Sequence, residues 1–237
     1  MSNQNEKIRL EEIGIRSSYA AGVNSFVTRF GYEGLKHYIH GQVLELGPAE
    51  GIMTEELVSD GYSPVLVEGS LTLANSLSKK FPSLKIVNEL FETFETDEKF
   101  DCIIMGHVLE HVLNPLNILE KYSGMLREGG LIWASVPNAD SIHRKAAVIM
   151  GILEDVHELN EADIRHGHRR VFSPNEFRSI FIGSGMKILE FGGYWLKPLS
   201  NSQIESTWTE EMIRAFCSLG KQFPDISGEM YIIATKS

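Results

Sequence analysis

The hydrophobic positions along this chain change period repeatedly, and the changes lay out an architecture. From Ile13 to Ile39 apolar residues recur at helical spacing, with Phe26, Phe30, Leu35 and Tyr38 available for burial and Gly31 or Gly34 breaking the run. The dozen residues before it are polar and expected to fray. A short apolar run over 42–46 ends in Gly47, and an amphipathic stretch from Ile52 to Ser59 follows. Pro64-Val65-Leu66-Val67-Glu68 is a second strand. Ser70 is placed to cap the next helix, where Leu73, Ala74, Leu77 and Phe81 recur. Strands are expected at 84–87 and 101–105. Asn114-Pro115, an N-cap with proline at the first helical position, then opens a helix. Its face is Leu119, Tyr122 and Leu126, and Gly129-Gly130 ends it before a fifth strand over 131–136.

Five strands alternating with helices predict an α/β fold with a doubly wound, Rossmann-like sheet. After Pro137 the rhythm is lost. Residues 139–172, rich in His, Asp, Glu and Arg, read as an insertion over the carboxyl edge of the sheet on the substrate side, with one apolar segment at 146–153. Ser173-Pro174-Asn175-Glu176 is a capping box that reopens regular structure. Two late strands near 187–195 and 229–235 flank a helix near 205–219. They bring the expected sheet to seven strands, mostly parallel with a C-terminal antiparallel strand. No repeat, low-complexity tract or linker interrupts the chain, so one domain over 1–237 is expected. Residues 1–40, Tyr19 included, would be its helical lid.

Composition changes this picture little. A hydrophobic share of 43% and a charged share of 23% place the chain among ordinary globular proteins. The net charge of -10 argues against a nucleic-acid partner, since phosphate binding rests on clustered Lys and Arg. The basic clusters are short: Lys79-Lys80 and His166-Gly167-His168-Arg169-Arg170. Cys102 and Cys217 make neither a ligand pair nor a disulfide framework by spacing. No apolar leader follows Met1 and no stretch reaches membrane-spanning length, so a cytoplasmic protein without a membrane partner is the expectation. Oligomeric state is open.

The candidate chemistry starts at Glu45-Leu46-Gly47-Pro48-Ala49-Glu50-Gly51. A strand that ends in glycine and turns into a helix presents backbone N–H groups and a helix N-terminus to a ligand. Two glycines there suit any doubly wound nucleotide binder. Glu68, 21 residues beyond Gly47, stands where an acid can accept hydrogen bonds from both ribose hydroxyls. Leu90 and Phe91, after the third strand, offer an apolar wall for a flat base.

These segments, with Phe100-Asp101-Cys102-Ile103-Ile104, His107-Val108-Leu109-Glu110-His111-Val112 and Leu126-Arg127-Glu128-Gly129-Gly130-Leu131, together resemble the class I S-adenosylmethionine-dependent methyltransferases. The similarity runs from about residue 40 to 138, leans toward the branch that modifies small molecules and sugars, and continues weakly at 168–173. It implies S-adenosyl-L-methionine as cofactor. The backbone around Gly47 and Gly106 would hold its methionine part, with Glu45, Pro48, Glu50, Gly51 and Gly69 in the same cradle. Glu68 would take the ribose, Leu90 and Phe91 the adenine, and His107 would lie near the sulfonium. One position departs from the family pattern: Ala49 replaces the middle glycine, which is tolerable only if that position avoids positive φ.

A sulfonium donor is already activated, so aligning the acceptor carries much of the work. A hydroxyl acceptor must also lose a proton, which calls for a base or a metal. His111, Glu110 and His168 are the candidate catalytic residues; His111 and Glu110 pack structurally in the alternative reading. Glu-His followed about sixty residues later by another His also resembles metal-assisted O-methyltransferases, with His107 replacing their first Glu. A set so rich in His suits a softer divalent ion better than magnesium. The expected acceptor is a hydroxyl, or an amine, of a small polar metabolite such as a sugar or nucleotide-sugar. Tyr194, Trp195, Trp208, Arg165, Arg169 and Arg170 are candidates to contact it. Rival readings are an NAD-type oxidoreductase, whose Gly-x-Gly-x-x-Gly is absent because Ala49 follows Gly47 by two, and a non-catalytic binding protein of the same fold.

Overall fold

Among the residues that the computed structural model describes, 3–17 and 20–236, seven strands form one sheet. Five run parallel: β1 (Val43–Leu46), β2 (Val65–Glu68), β3 (Ile86–Asn88), β4 (Phe100–Gly106) and β5 (Leu126–Pro137). With β6 (Met186–Tyr194) and β7 (Glu229–Lys236), the order is β3-β2-β1-β4-β5-β7-β6, and β7 lies antiparallel to both its neighbours. The chain steps from β1 outward to β3, then returns to place β4 on the other side of β1. That reversal opens a crevice at the carboxyl ends of β1 and β4, where ligands of such sheets bind.

Every residue of β1 and β2 is buried, as strands covered on both faces must be. Alternate side chains divide between two cores. Leu44, Leu46, Ile103 and Ile132 point to one face, and Val43, Cys102, Ile104 and Trp133 to the other. Cys102 is accordingly a buried free thiol, and so is Cys217.

The N-terminal region differs from the sequence expectation. From Asn3 on, the segment expected to fray is helical: α1 (Asn3–Arg16) is a full helix, and α2 (Gly22–Leu35) follows as a separate one. Tyr19 lies outside the described residues. α1 owes its order to tertiary contacts its polar sequence does not advertise, set out below. Gly31 and Gly34 sit inside α2 rather than ending it. Gly31 is there for packing, since a Cβ would come within 3.1 Å of the Tyr194 hydroxyl.

The expected caps form. Ser70 Oγ accepts from Leu73 N at 3.3 Å at the start of α4 (Leu71–Lys80), which follows α3 (Ile52–Ser59). Asn114 Oδ1 accepts from Asn117 N at 3.2 Å to open α5 (Pro115–Ser123). Here a boundary shifts. α5 ends at Ser123, and Leu126, expected on its face, instead opens β5 opposite Phe100. The strand continues past Gly129-Gly130 through a bulge: Phe100 pairs with Leu126 but Cys102 with Leu131, and Gly129 takes left-handed backbone (φ 76°). Gly130 fits because a Cβ would lie 3.1 Å from the carbonyls of Arg127 and Phe100.

The segment after β5 contains α6 (Ile142–Ile149) and α7 (Glu161–His166), and a bridge between Asn138 and Phe172 closes it at its base. The capping box Ser173–Glu176 forms at the head of α8 (Pro174–Gly183). The single helix expected near 205–219 is two, α9 (Asn201–Glu205) and α10 (Glu210–Gly220), with Thr209 capping the second. Among the described residues no helix is long and apolar enough to cross a membrane.

Candidate active site

The crevice holds about 1110 Å³ of empty space open to solvent. Its floor is the turn after β1. Gly47 (φ 62°), Ala49 (φ 49°) and Gly51 (φ 82°) all have left-handed backbone, and Gly51 N closes the turn on Pro48 O at 2.7 Å. Gly47 is required twice over, because a Cβ would also press to 3.3 Å on Phe91 and Val108. Ala49 does need positive φ, so the condition for tolerating it fails. The position is strained by about 1–2 kcal/mol.

Two carboxylates face this floor. Glu68 is 7% exposed and accepts from Ser70 N at 2.9 Å and, loosely, from Ala49 N at 3.3 Å. Glu45, 3% exposed, accepts from Thr54 Oγ1 at 2.7 Å. Burial pushes both carboxyls up to about 7, against the pull of those hydrogen bonds. An apolar cleft with two poised acids favours a ligand carrying hydroxyl donors and positive charge.

α1 roofs this end. Leu10, Ile13, Gly14 and Ser17 line the cleft, and Leu10 lies where a Cβ on Gly69 would meet it at 2.6 Å. The Glu11 carboxylate accepts from Ser70 Oγ at 2.9 Å and from Thr72 N at 3.2 Å, sitting on the N-terminus of α4. Across the cleft, Glu6 accepts from Arg169 Nη2 at 2.6 Å and Arg9 donates to Gly167 O.

The other end is histidine-rich. His107 follows β4 with left-handed backbone (φ 54°), which turns its ring into the cleft. Its Nδ1 is 3.2 Å from Glu110 Oε1, and its Nε2 is 3.5 Å from Glu229 Oε2. Burial opposes its protonation, but the two carboxylates win and raise it to about 9. Glu110, completely buried, is the firmer partner and stays ionised; Glu229, whose own carboxyl burial pushes upward, is the looser. His111 is the opposite case. Its Nδ1 lies 3.2 Å from Gly167 O and must carry the proton there, leaving Nε2 with a free lone pair. Burial is the main reason its pKa falls to about 4. The His168 ring stands edge-on to it at 4.9 Å and reaches Asp163 Oδ1 at 3.3 Å.

Of the residues singled out in the sequence, Glu45, Gly47, Pro48, Glu50, Glu68, Phe91, Gly106, His107 and His111 line the cleft, as does His166. Gly51 caps α3, Gly69 lies under Leu10, and Leu90 is buried without reaching the cleft. Glu110 and His168 stand behind the lining as partners of His107 and His111. Trp195 and Trp208 pack edge-on to each other in a core beneath α2, while Tyr194 does line the cleft. Arg169 and Arg170 are spent on the carbonyls of His111, Leu109, Val112 and Leu113. The sequence reading missed Glu229. A signal existed: a reversed strand starts where parallel strands end, so its first residue falls on the functional edge.

Fold and site together define a Rossmann-like protein with an open, acid-lined cleft at the switch point of its sheet. A profile of the methyltransferase-domain family matches residues 16–191. The ubiquinone biosynthesis O-methyltransferase of Glaesserella parasuis is 26% identical over 173 residues, covering 68% of this chain and 71% of its own. The mitochondrial enzyme of that name from Dictyostelium discoideum is 24% identical, but the match spans 67% of this chain and only 53% of the relative. A glycopeptide N-methyltransferase in complex with S-adenosyl-L-methionine shares the fold with a TM-score of 0.59 at 15% identity, over 89% of this chain and 87% of its own. A methyltransferase from Streptomyces caelestis shares it at 0.63 and 13%, over 89% of each chain. The chain belongs to the methyltransferase-domain family of S-adenosylmethionine-dependent enzymes.

Proposed function

We propose that this chain transfers a methyl group from S-adenosyl-L-methionine to a hydroxyl of a small polar molecule, with His111 as the base. The observation that carries the reading is the contrast between two histidines four residues apart. His107 is held protonated by carboxylates, whereas His111, which lines the cleft, is neutral, with its Nε2 4.0 Å from Glu110 Oε1. A base must be unprotonated to act, and only His111 meets that condition near pH 7.

The cofactor supplies an electrophilic methyl on a cationic sulfur. Glu68 would take the ribose hydroxyls, Phe91 would flank the base, and the turn at Gly47–Gly51 with Gly106 and Glu45 would receive the methionine part. His107 would fix the turn after β4, and α1 would serve as the lid that excludes water. The bound donor would give up its methyl group with the departing bond pair left on sulfur, and His111 Nε2 would take the proton of the acceptor hydroxyl.

Hydroxyl rather than amine is favoured by the curated relatives, which are named O-methyltransferases. The sugar or nucleotide-sugar acceptor gains nothing from the packed tryptophans or the spent arginines. A second reading has its own observation: one ligand atom each from Glu110, His111 and His168 lie within 4.8 Å of one another, and Glu110 Oε2 and His168 Nε2 lack hydrogen-bond partners. These residues would hold a divalent ion, which would acidify the hydroxyl in place of a base. Two imidazoles and one carboxylate suit a zinc-, manganese- or iron-like ion.

Calorimetry with S-adenosylmethionine, followed by methyl-transfer assays over a panel of hydroxyl and amine acceptors with and without a strong chelator, tests both. Binding and chelator-resistant O-methylation support the base; loss of turnover in chelator with add-back rescue moves the reading to the metal. Absence of cofactor binding overturns the proposal.

A further inference from the structure

Beyond His107 and Glu229 lies a cluster of polar groups that methyl transfer alone does not explain. Its cation is Lys197. Past β6, Trp195 takes left-handed backbone (φ 64°) and turns the chain so that the Lys197 stem lies along Gly228, where a Cβ would meet its Cγ at 3.3 Å. The ammonium has three donors. One goes to Asn201 Oδ1 at 2.9 Å, and among the described residues Lys197 forms no ion pair. Burial pulls its pKa down, against the opposing pull of the Glu229 and Asp163 carboxylates.

Gly228 O accepts from Asn138 N at 3.0 Å, and Asn138 O accepts from Ser141 N at 3.3 Å, which brings the start of α6 beside Lys197. Ser141 is the N-cap of that helix and fully buried, yet its Oγ caps nothing and bonds to nothing. An N-cap serine ordinarily accepts from the first turn. Two residues on, half-buried His143 has a buried Nδ1 that is also without a partner. Burial, then the charges of Lys197 and Arg144, hold that ring neutral. Arg144 itself is committed to Asp163 at 3.0 Å and to the carbonyls of Val156 and Glu158. Glu229, adjacent to Gly228, links this cluster to His107 at 3.5 Å.

An under-used ammonium, an uncapped helix start, a free hydroxyl and a free imidazole nitrogen make a donor-rich seat for an anion. We infer that the methyl acceptor carries an oxyanion, a carboxylate or a phosphate ester, seated between Lys197 and the Ser141–His143 start of α6. The inference rests on the methyltransferase reading and names its substrate class: a hydroxyl toward His111, an acid group toward Lys197.

The test uses protein loaded with S-adenosylhomocysteine, whose binding is recorded first. Inorganic phosphate and acetate are then titrated separately by calorimetry against chloride at matched ionic strength. The expected result is saturable binding of one of them, at least tenfold weaker in Lys197→Met and severalfold weaker in Ser141→Ala. Phosphate binding assigns a phosphate ester; acetate binding assigns a carboxylic acid. Should Lys197→Met fail to fold, Ser141→Ala carries the decision, since its hydroxyl makes no hydrogen bond within the protein. Neither anion exceeding chloride, or both variants binding as the parent does, overturns the inference. If S-adenosylhomocysteine binds and the anions do not, the anion seat is at fault; if S-adenosylhomocysteine itself does not bind, the cofactor reading fails instead.

Discussion

Glu68 and His111 stand on opposite sides of one cleft, and their surroundings are built by different means. Around Glu68 the chain works locally: a turn of five residues after β1, a cap at Ser70, and backbone N–H groups aimed at a carboxylate. Around His111 almost nothing is local. Gly167 orients its ring, His168 stands against it, Glu110 is shared with His107, and Glu229 arrives from the last strand. The difference teaches a division of labour. On the proposed reading, donor binding would rest on backbone geometry that a short motif can encode, whereas acceptor chemistry would rest on side chains brought together by the whole fold.

That division can be broken experimentally. The largest effect is expected for His111→Ala, which should lower kcat by about 10²–10⁴-fold toward whichever hydroxyl acceptor the panel yields, with cofactor affinity unchanged. If its calorimetric Kd for S-adenosylmethionine rises as steeply as turnover falls, the two ends are not separable. Glu68→Ala should do the converse, weakening cofactor binding by about 10–100-fold through lost charge-assisted hydrogen bonds. Glu68→Gln should recover part of that loss, and circular dichroism checks that the fold survives.

A smaller effect follows from pH. Glu45 and Glu68 titrate near 7 in the free protein and are neutral below it, whereas a cationic, hydroxyl-bearing ligand favours their ionised forms. Affinity for S-adenosylmethionine should therefore weaken by about three- to tenfold per unit as pH falls below about 7, and level off above about 8. A flat profile by calorimetry would show that neither acid is coupled to the donor. The smallest effect is Ala49→Gly. Relief of about 1–2 kcal/mol of backbone strain is offset by about 0.4–1 kcal/mol of unfolded-chain entropy. The net gain of about 0.5 kcal/mol should raise Tm by about 1–2 °C.

The same contrast explains what could be read in the sequence. The alternating strands and helices, the caps at Ser70, Asn114 and Ser173, and the glycine turn were legible because each is encoded by neighbours within a few residues. α1 was not, because its order comes from Glu11 on α4 and Arg9 on Gly167 rather than from an apolar stripe. Leu126 was misread because an apolar residue after a helix fits either the helix or the next strand until Phe100 is known to lie opposite. His107 and His111 were noticed as a pair, but not their opposite protonation. That depends on Glu110, Glu229 and Gly167, of which the last two lie far along the chain. Trp195 and Trp208 looked like sugar platforms, since composition cannot tell a core aromatic from a lining one.

The carbonyl of Gly167 is held from two sides, by Arg9 of the roof helix and by the His111 ring. On the proposed reading, a movement of α1 that admits fresh donor would release one of those holds, so the ring proposed as the base would loosen as the cleft opens and be re-aimed as the roof reseats. Traffic through the cleft and readiness to react would then run on one latch.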